Sequence, residues 1–257
     1  MLIIKCHVCH GVFLFLETMT TRNRGKEGRD DLLFGTSKSQ EKIKEAVTDV
    51  SYLLSRGFSE KSSIQLVGNR YKLNNRQQKA VQGMSAAASQ VTLRKNTEVS
   101  IDQLKDQTVI IDGFNIIIIL ESFLSGAYVF KGVDSCYRDV SSVHGTYKRV
   151  QQTQEVLTAV GDFLQDAQVK EVKWVFDQPV SNSGRMKMLL GELSRKRNYP
   201  WQSILEYNPD KILAVSDHIV ASSDAWVLDR AKRWFNLSGT IIENHPSKNS
   251  ELILLPH

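Results

Sequence analysis

The fold of this chain is decided by residues 109–117, which read Val-Ile-Ile-Asp-Gly-Phe-Asn-Ile-Ile. The first part is an apolar, β-branched run without polar alternation, which is typical of a strand buried on both faces. Such strands occur mostly in parallel sheets that helices cover on both sides. Because ligands in these sheets bind outside the carboxyl ends of the strands, Asp112 lies where a site is expected. An aspartate here could instead cap the turn or helix that follows.

Strands and helices alternate through the carboxyl-terminal half, which predicts a mostly parallel α/β domain over residues 97–257. Apolar, β-branched runs mark the strands, and helical periodicity marks the segments between them. The predicted strands are Thr108–Asp112, Lys173–Phe176, Ser203–Tyr207, His218–Ala221 and Thr240–Glu243. The predicted helices are one beginning near residue 116, Gln151–Ala167, Arg185–Arg195 and Ala225–Phe235, and Gly126–Asp139 is predicted to be an insertion.

Residues 36–96 are predicted to form a small all-α domain. Their apolar residues recur at three- and four-residue spacing, as on the buried face of a helix. The candidate caps and stops of the first two helices are Ser39, Gly57, Ser59 and Gly68. A third helix is predicted to begin at Asn75 and to run to about residue 88.

Residues 1–35 are expected to be disordered or extended. They contain Cys6-His7-Val8-Cys9-His10, a short run of potential metal ligands. A structural zinc site needs a second pair of ligands roughly a dozen or more residues away. The remaining cysteine, Cys136, is distant in the chain and alone. The spacing therefore favours a frayed extension over a zinc site.

Composition restricts the class of protein. The 257 residues carry a formal net charge of +5, which suits a polyanionic partner such as nucleic acid. No apolar stretch reaches the roughly 18 residues that would span a membrane. An odd count of three cysteines argues against a disulfide framework and for a reducing compartment. We therefore expect a cytoplasmic protein without membrane contact, and the sequence leaves open whether it forms a homo-oligomer.

Three of the predicted strands lead into aspartates, namely Asp112, Asp177 and Asp224. If the strands are parallel, these carboxylates emerge at one edge of the sheet and raise one another's pKa. A divalent cation such as Mg²⁺ or Mn²⁺ would relieve the repulsion, since it takes carboxylate and phosphate oxygens as ligands. Because such a cation can activate water and stabilise charge on a phosphoryl group, the three aspartates predict phosphodiester hydrolysis.

Polar side chains next to these aspartates are candidate helpers. Asn115 lies about one helical turn beyond Asp112 and could hydrogen-bond Asp112 or a metal-bound water. Ser222 and Ser223 directly precede Asp224. Their hydroxyl groups could orient that carboxylate or donate to a phosphate.

A dense polar segment precedes the helix predicted at Gln151–Ala167. Side chains of its types can reach phosphates or stack on bases, so we predict that it binds the substrate. A solvated loop leading into the helix is the alternative interpretation. A further candidate, Arg185, lies at the start of the predicted helix Arg185–Arg195. The candidate substrate-binding residues are therefore Arg138, His144, Tyr147, Lys148, Arg149 and Arg185.

Together these motifs resemble the PIN-like (PIN/NYN-type) nuclease superfamily. The matching residues are Asp-Gly-x-Asn from Asp112, Phe-Asp at Asp177, and Ser-Ser-Asp followed by Val-Leu-Asp-Arg-Ala after the fourth strand. The resemblance implies a three-layer α/β/α fold with a metal-dependent ribonuclease-type site at Asp112, Asp177 and Asp224.

The helical region resembles a domain of unknown function that accompanies such a PIN-like domain in certain prokaryotic, often archaeal, proteins. The residues that carry this second resemblance are Asp49, Leu53-Leu54-x-Arg56-Gly57-Phe58 and Leu66-Val67-Gly68-Asn69-Arg70-Tyr71. The two resemblances together cover residues from about 28 to 245.

The resemblance also implies another acidic residue on a helix between the first two strands. The candidates are Glu121, Asp134, Asp139 and Glu155, of which Asp139 is preferred because it lies in the polar segment. Asp217 is expected at the far edge of the sheet, because seven extended residues separate it from Asp224. Asp229 is expected to point away from the site, towards Arg230 and Arg233.

Two other functions are compatible with the sequence. A non-catalytic RNA-binding protein could keep the fold and the basic helices, and it would bind RNA in a salt-sensitive way without turnover. A receiver-like or small-molecule α/β module could use a similar cluster of aspartates. Against it, no lysine stands at a later strand end, where such a site needs one.

Overall fold

The computed structural model describes residues 24–141 and 147–246, together with the backbone of residues 252–253. It is a mixed α/β structure in which helices flank a parallel sheet of four strands. The Cys-His run at residues 6–10 and His144 lie outside the described residues. No helix in the described part is both long and apolar enough to cross a membrane.

The secondary structure elements are numbered in chain order. The helices are α1 (Ser37–Ser55), α2 (Glu60–Arg70), α3 (Asn75–Met84), α4 (Ala88–Thr97), α5 (Gly113–Leu124), α6 (Thr153–Asp166), α7 (Ser183–Arg197), α8 (Pro209–Ala214), α9 (Ala225–Leu228) and α10 (Leu237–Asn244). The strands are β1 (Thr108–Asp112), β2 (Val129–Lys131), β3 (Tyr137–Asp139), β4 (Glu171–Asp177), β5 (Trp201–Glu206), β6 (Ile219–Ala221) and β7 (Leu252–Ile253).

The parallel sheet has the strand order β5-β4-β1-β6. Alternate residues of its strands face opposite layers of helices. Val109 and Ile111 of β1 pack with α5, α6, α7 and α10, and this layer contains the largest hydrophobic core. Ile110 and its neighbours Val175 and Val220 face α8 and α9 instead. The direction of strand addition reverses between β1 and β6, which makes that gap the switch point of the sheet.

The helices of the amino-terminal region share their core with a small second sheet. This sheet has the order β3-β2-β7 and includes the hairpin that takes the place of the predicted insertion. Ile43, Val81 and Met84 of the helices pack against Tyr128 and Phe130 from the hairpin. The helical region and the α/β region are therefore joined by one continuous hydrophobic cluster.

Local capping explains most helix boundaries in this region. Ser59 caps α2 as predicted, since its side chain accepts a hydrogen bond from the amide of Ser62 at 3.2 Å. Thr36, and not Ser39, caps α1. Gly68 lies inside α2, where a side chain would collide with Gln78 at 2.8 Å.

Two further boundaries in the amino-terminal region differ from the prediction. The predicted third helix is divided in two, with α3 ending at Met84 and α4 beginning at Ala88. The segment expected to be extended up to residue 35 contains a helical turn at Asp31–Gly35, and Phe34 in that turn is fully buried.

Two predictions near the carboxyl end are wrong. The predicted strand Thr240–Glu243 belongs to helix α10, because Asn236 caps that helix by accepting a hydrogen bond from the amide of Gly239 at 3.1 Å. The predicted helix Ala225–Phe235 ends at Leu228. The chain then turns so that Trp234 can be buried, with its indole donating to the carbonyl of Arg94 at 2.7 Å.

Candidate functional site

Four aspartates follow the four strands of the parallel sheet. Asp112 ends β1, Asp177 ends β4, Asp210 is the second residue of α8 after β5, and Asp224 caps α9 after β6. Because the strands are parallel, all four lie at the carboxyl edge of the sheet, and we call this group the acidic rim. Strand alternation directs Asp112 and Asp177 to the same face as Ile110 and Val175, which is the face that carries α8 and α9.

The carboxylates of the acidic rim interact electrostatically. Burial raises the pKa of Asp112 to about 7, and the charges of Asp210 and Asp224 add to this, while the Ser222 hydroxyl and the Asn115 amide act in the opposite direction. Burial also raises the pKa of Asp177. Partial burial and the charges of Asp224 and Asp177 raise the pKa of Asp210. Asp210 is therefore coupled to each of the other three.

The acidic rim forms no ion pair in the described part of the chain, although the charge of Arg138 acts on Asp224 at longer range. Among the described residues, none of the ion pairs involves any of its four aspartates. A buried or half-buried carboxylate without a positive partner is unfavourable, because hydrogen bonds alone compensate only part of the hydration that its charge loses. The edge of the sheet thus concentrates negative charge that a cation from solution could balance.

Hydrogen bonds at the switch point fix the relative positions of Asp112 and Asp224. The Ser222 hydroxyl donates to Asp112 Oδ2 at 2.7 Å and accepts from the amide of Asp224 at 3.0 Å. The Asn115 side-chain oxygen accepts from the amide of Ser223 at 2.8 Å. The loop after β6 is therefore tied directly to the end of β1.

Packing explains why a glycine follows Asp112 at the end of β1. A Cβ atom at Gly113 would lie 2.3 Å from the ring of Phe176 on the neighbouring strand. Only glycine lets that ring pack against the turn that carries Asp112.

The carboxylate oxygens of the acidic rim are the type of ligand that Mg²⁺ and Mn²⁺ take. The carboxylates do not, however, form one shared cluster. In residues 24–141 and 147–246, no group of three or more His, Cys, Asp or Glu side chains is arranged so as to hold one metal ion. The predicted sharing of a single cation by Asp112, Asp177 and Asp224 is thus not present in this structure. Mg²⁺ is usually held by one or two carboxylates, with water and substrate phosphate completing its shell. The rim fits that simpler arrangement.

Two family models match this chain. Residues 101–240 match "Domain of unknown function (DUF5616)", and residues 42–96 match "Protein of unknown function (DUF434)". The chain belongs to the DUF5616 family. It is similar to "Uncharacterized protein MJ0935" of Methanocaldococcus jannaschii, with 26% identity over 188 residues that cover 71% of this chain and 90% of the relative. No solved structure matches the chain.

Asp210 is the rim residue of this DUF5616 protein that sequence reasoning missed. It follows the end of a strand, as Asp112, Asp177 and Asp224 do, and that position was the available signal. The four acids considered instead lie elsewhere. Glu121 is buried beside Arg24 and Tyr147, Asp134 pairs with two arginines, and Glu155 is exposed in the first turn of α6.

Asp139, the preferred fourth acid, is not brought to the acidic rim. It ends β3 and accepts a hydrogen bond from the amide of Ser141 at 2.6 Å. Burial raises the pKa of Asp139, while Ser141 and the charge of Lys79 oppose that rise. These neighbours belong to the hairpin and to α3, so the predicted catalytic role of Asp139 has no support in this geometry.

Several residues of the DUF5616 region that are predicted to bind substrate instead make hydrogen bonds within the protein. Arg138 donates to Asp134 and to the backbone carbonyls of Gly83 and Ser223. Tyr147 is 1% exposed and donates to Glu121. These two side chains complete internal networks, so the structure does not present them to a ligand.

The predicted serines are likewise internal. Ser222 and Ser223 are each 1% exposed, and the Ser223 hydroxyl lies 3.1 Å from that of Ser238 in α10. Ser222 orients Asp112 rather than the carboxylate of Asp224 that the sequence predicts, and both serines are too buried to reach a phosphate.

The remaining predicted contacts are nearer to the surface. Lys148 is exposed, and its carbonyl accepts from Arg24 at 2.8 Å. Arg149 is half-buried. Arg185 is exposed in the first turn of α7, which begins at the same edge of the sheet as Asp177. Arg185 is therefore well placed for an anionic ligand of the acidic rim.

Asp217 and Asp229, which the sequence predicts to lie away from the site, do point away from the acidic rim. Asp217 precedes β6 and pairs with Lys232 at 2.5 Å, so it lies at the amino edge as expected. Asp229 also points away from the rim, but its partners are Arg94 and Gln90. The expectation that Arg230 and Arg233 would be its neighbours was wrong.

Exposed aromatic side chains lie next to the acidic rim and were not foreseen from the sequence. Tyr207 directly follows β5 and is 68% exposed. Trp226 lies two residues after Asp224 and is 42% exposed. The guanidinium carbon of Arg230 lies 4.1 Å from the centre of the Trp226 ring. Such a stacked pair offers a flat surface on which a nucleobase can stack.

Proposed function

We propose that this protein is a metal-dependent phosphodiesterase of the ribonuclease type, built on a PIN-like three-layer α/β/α fold. The observation that carries the proposal is the acidic rim, in which four aspartates lie at the carboxyl edge and interact electrostatically, while none of them forms an ion pair among the described residues. The position of Asp112 and Asp224 at the switch point between β1 and β6 supports it, because open α/β sheets bind ligands there.

Within this proposal, Asp112 and Asp224 would hold Mg²⁺ or Mn²⁺, with Asp210 beside them. The chemistry that such a cation would supply is activation of water and stabilisation of charge on the phosphoryl group. Ser222 orients Asp112 through its 2.7 Å hydrogen bond. Burial raises the pKa of Asp177 and of Asp210, and a raised pKa makes a carboxylate a better acceptor for a proton from water.

The surroundings of the acidic rim favour a nucleic-acid substrate, and RNA is the substrate we propose. Arg185 can contact a phosphate, and Trp226 with Arg230 can stack on an unpaired base. The net charge of +5 favours a polyanion in the same way. Stacking on aromatic side chains is the usual way in which proteins hold single-stranded RNA.

A cleavage assay tests this function directly. Purified protein is incubated with a labelled single-stranded RNA oligonucleotide in Mg²⁺, in Mn²⁺ and in EDTA. We expect cleavage only with metal, and its loss in Asp112→Asn and Asp224→Asn variants that keep the wild-type circular dichroism spectrum. Asp217→Asn, at the opposite edge of the sheet, is the matched control and should cleave normally.

Two results would count against the nuclease. Unchanged cleavage in Asp112→Asn would assign the activity to another site or to a contaminant. Salt-sensitive RNA binding without any metal-dependent cleavage would favour the alternative of a non-catalytic RNA-binding protein.

A further inference from the structure

A buried arginine and a partly buried arginine share one aspartate at the junction of α4, the hairpin and α9. Arg94 of α4 is 2% exposed and donates to Asp134 at 2.5 Å. Arg138 of β3 donates to both carboxylate oxygens of Asp134, at 2.6 and 2.9 Å. Burial acts to raise the pKa of Asp134, but the two guanidinium groups outweigh it and lower that pKa to about 2. The three side chains form what we call the arginine clamp.

The arginine clamp also bonds to the segment that carries Asp224. Arg138 Nε donates to the carbonyl of Ser223 at 2.9 Å. Arg94 pairs with Asp229, just after α9, at 2.7 Å. The backbone before Asp224 and the side chain of Asp229 after it are therefore held by side chains that belong to other parts of the chain.

The clamp ties the amino-terminal helices to the acidic rim. Arg94 lies on α4, and Arg138 Nη1 donates to the carbonyl of Gly83 in α3 at 2.9 Å. Gln90 of α4 adds a hydrogen bond to Asp229 at 2.7 Å. These contacts join residues of the DUF434 match to the loop after β6, which belongs to the DUF5616 match.

Stability alone does not account for such a cluster. Apolar side chains of similar volume are often at least as stabilising as a buried group of ions, because the ions lose their hydration. What the charged groups add is direction, since a guanidinium makes several hydrogen bonds in a fixed plane. Here that plane joins one carboxylate to the carbonyls of Gly83 and Ser223.

We infer that Arg94, Asp134 and Arg138 are positioning residues that hold Asp224 in place relative to Asp112. Through these residues, the amino-terminal helices help to fix the geometry of the acidic rim. The link to metal binding rests on the proposed function. The positioning itself is a property of the metal-free protein and can be measured there.

Backbone amide hydrogen exchange is the direct measurement. The amides of Ser223 and Asp224 are bonded to Asn115 and Ser222, so their exchange reports whether the loop stays closed onto β1. Arg138→Lys keeps the positive charge beside Asp134 but cannot reproduce all the hydrogen bonds of the guanidinium. We expect exchange at these two amides to accelerate on the order of tenfold, with the amides of β1 unchanged.

Two further variants secure the result. Arg70→Lys is the matched control, because Arg70 is exposed and pairs only loosely with Asp49 at 3.7 Å. Asp229→Asn releases Arg94 at a partly exposed position, and it provides the test if Arg138→Lys does not fold. Unchanged exchange at Ser223 and Asp224 in the folded variants would overturn the inference. A uniform acceleration that includes β1 would also overturn it, since that would reflect global destabilisation alone.

Manganese titration separates this inference from the proposed function. Displacing residues that orient metal ligands typically weakens metal binding about 10- to 100-fold, and we expect Arg138→Lys to do so while Arg70→Lys does not. If the wild-type protein binds no Mn²⁺, the proposed function fails, and the exchange measurement still decides the positioning role. If Mn²⁺ binds equally well to the wild type and Arg138→Lys, the clamp does not position the metal ligands.

Discussion

Replacing Asp112 by Asn should change how the stability of this protein depends on pH. The pKa of Asp112 is raised from 3.8 to about 7 in the folded state. Between these values the folded protein binds the proton more tightly than the unfolded chain, so the stability from this group is present below about pH 4 and is lost as pH rises through 7. At about 1.4 kcal/mol per pH unit, the loss reaches about 4 kcal/mol, an upper limit because the residue keeps partial exposure.

The Asn variant cannot ionise, so it should escape this loss. Urea denaturation at pH 4.5 and pH 8 without divalent metal gives the two free energies of unfolding. We expect Asp112→Asn to be more stable than the wild type at pH 8, and the difference to shrink at pH 4.5. The control is Asp166→Asn, an exposed position at the end of α6 near the amino edge of the sheet. If the free energy of unfolding depended on pH in the same way for Asp112→Asn and the wild type, the raised pKa of Asp112 would be refuted.

Three other outcomes are expected. Mn²⁺ at about 100 times its dissociation constant should stabilise the wild type by about 2.7 kcal/mol at pH 8 and Asp112→Asn far less, as measured by urea denaturation. Trp226→Ala should raise the KM for single-stranded RNA without weakening Mn²⁺ binding, whereas equal kinetics would remove Trp226 from the substrate path. Gly113→Ala should destabilise the protein by roughly 1–3 kcal/mol through its collision with Phe176, while Gly184→Ala, which meets nothing within 4 Å, should not.

The sheet could be predicted because its signals are local. Strand β1 runs from Thr108 to Asp112 as predicted, and the predicted strands at Lys173 and Ser203 fall within or overlap β4 and β5. Continuous apolar composition marks strands that are covered on both faces, whatever their partners are. The parallel arrangement then brings Asp112 and Asp177 to one edge without any knowledge of side-chain contacts.

The misassigned elements are those in which a tertiary contact or a cap outweighs local composition. Thr240, Ile241 and Ile242 favour a strand by their branched side chains, yet the cap by Asn236 places them in a helix. The helix after Asp224 is periodic beyond Leu228, but burial of Trp234 draws the chain away. Neither effect can be read from the residues of the element itself.

The role of the polar residues was mispredicted because their partners are distant in the chain. Arg138 bonds to the carbonyl of Ser223 across 85 residues, and Arg94 reaches Asp229 across 135 residues. A surface arginine that awaits a phosphate and a buried arginine that joins two segments look the same in a sequence. Only the fold distinguishes them, and here it pairs Arg138 with Asp134 inside the protein's own network.

The contrast between the acidic rim and the other acids is the strongest argument for an external cation. Each fully buried acid in the described residues has an arginine, since Asp30 pairs with Arg76, Glu121 with Arg24 and Asp134 with the arginine clamp. The same chemistry could have neutralised Asp112. Instead, Arg138, whose charge also acts on Asp224, forms its ion pair with Asp134. Because the described part of the chain pairs its fully buried acids with arginines but gives the acidic rim no ion pair, we propose that a divalent cation would stabilise that edge.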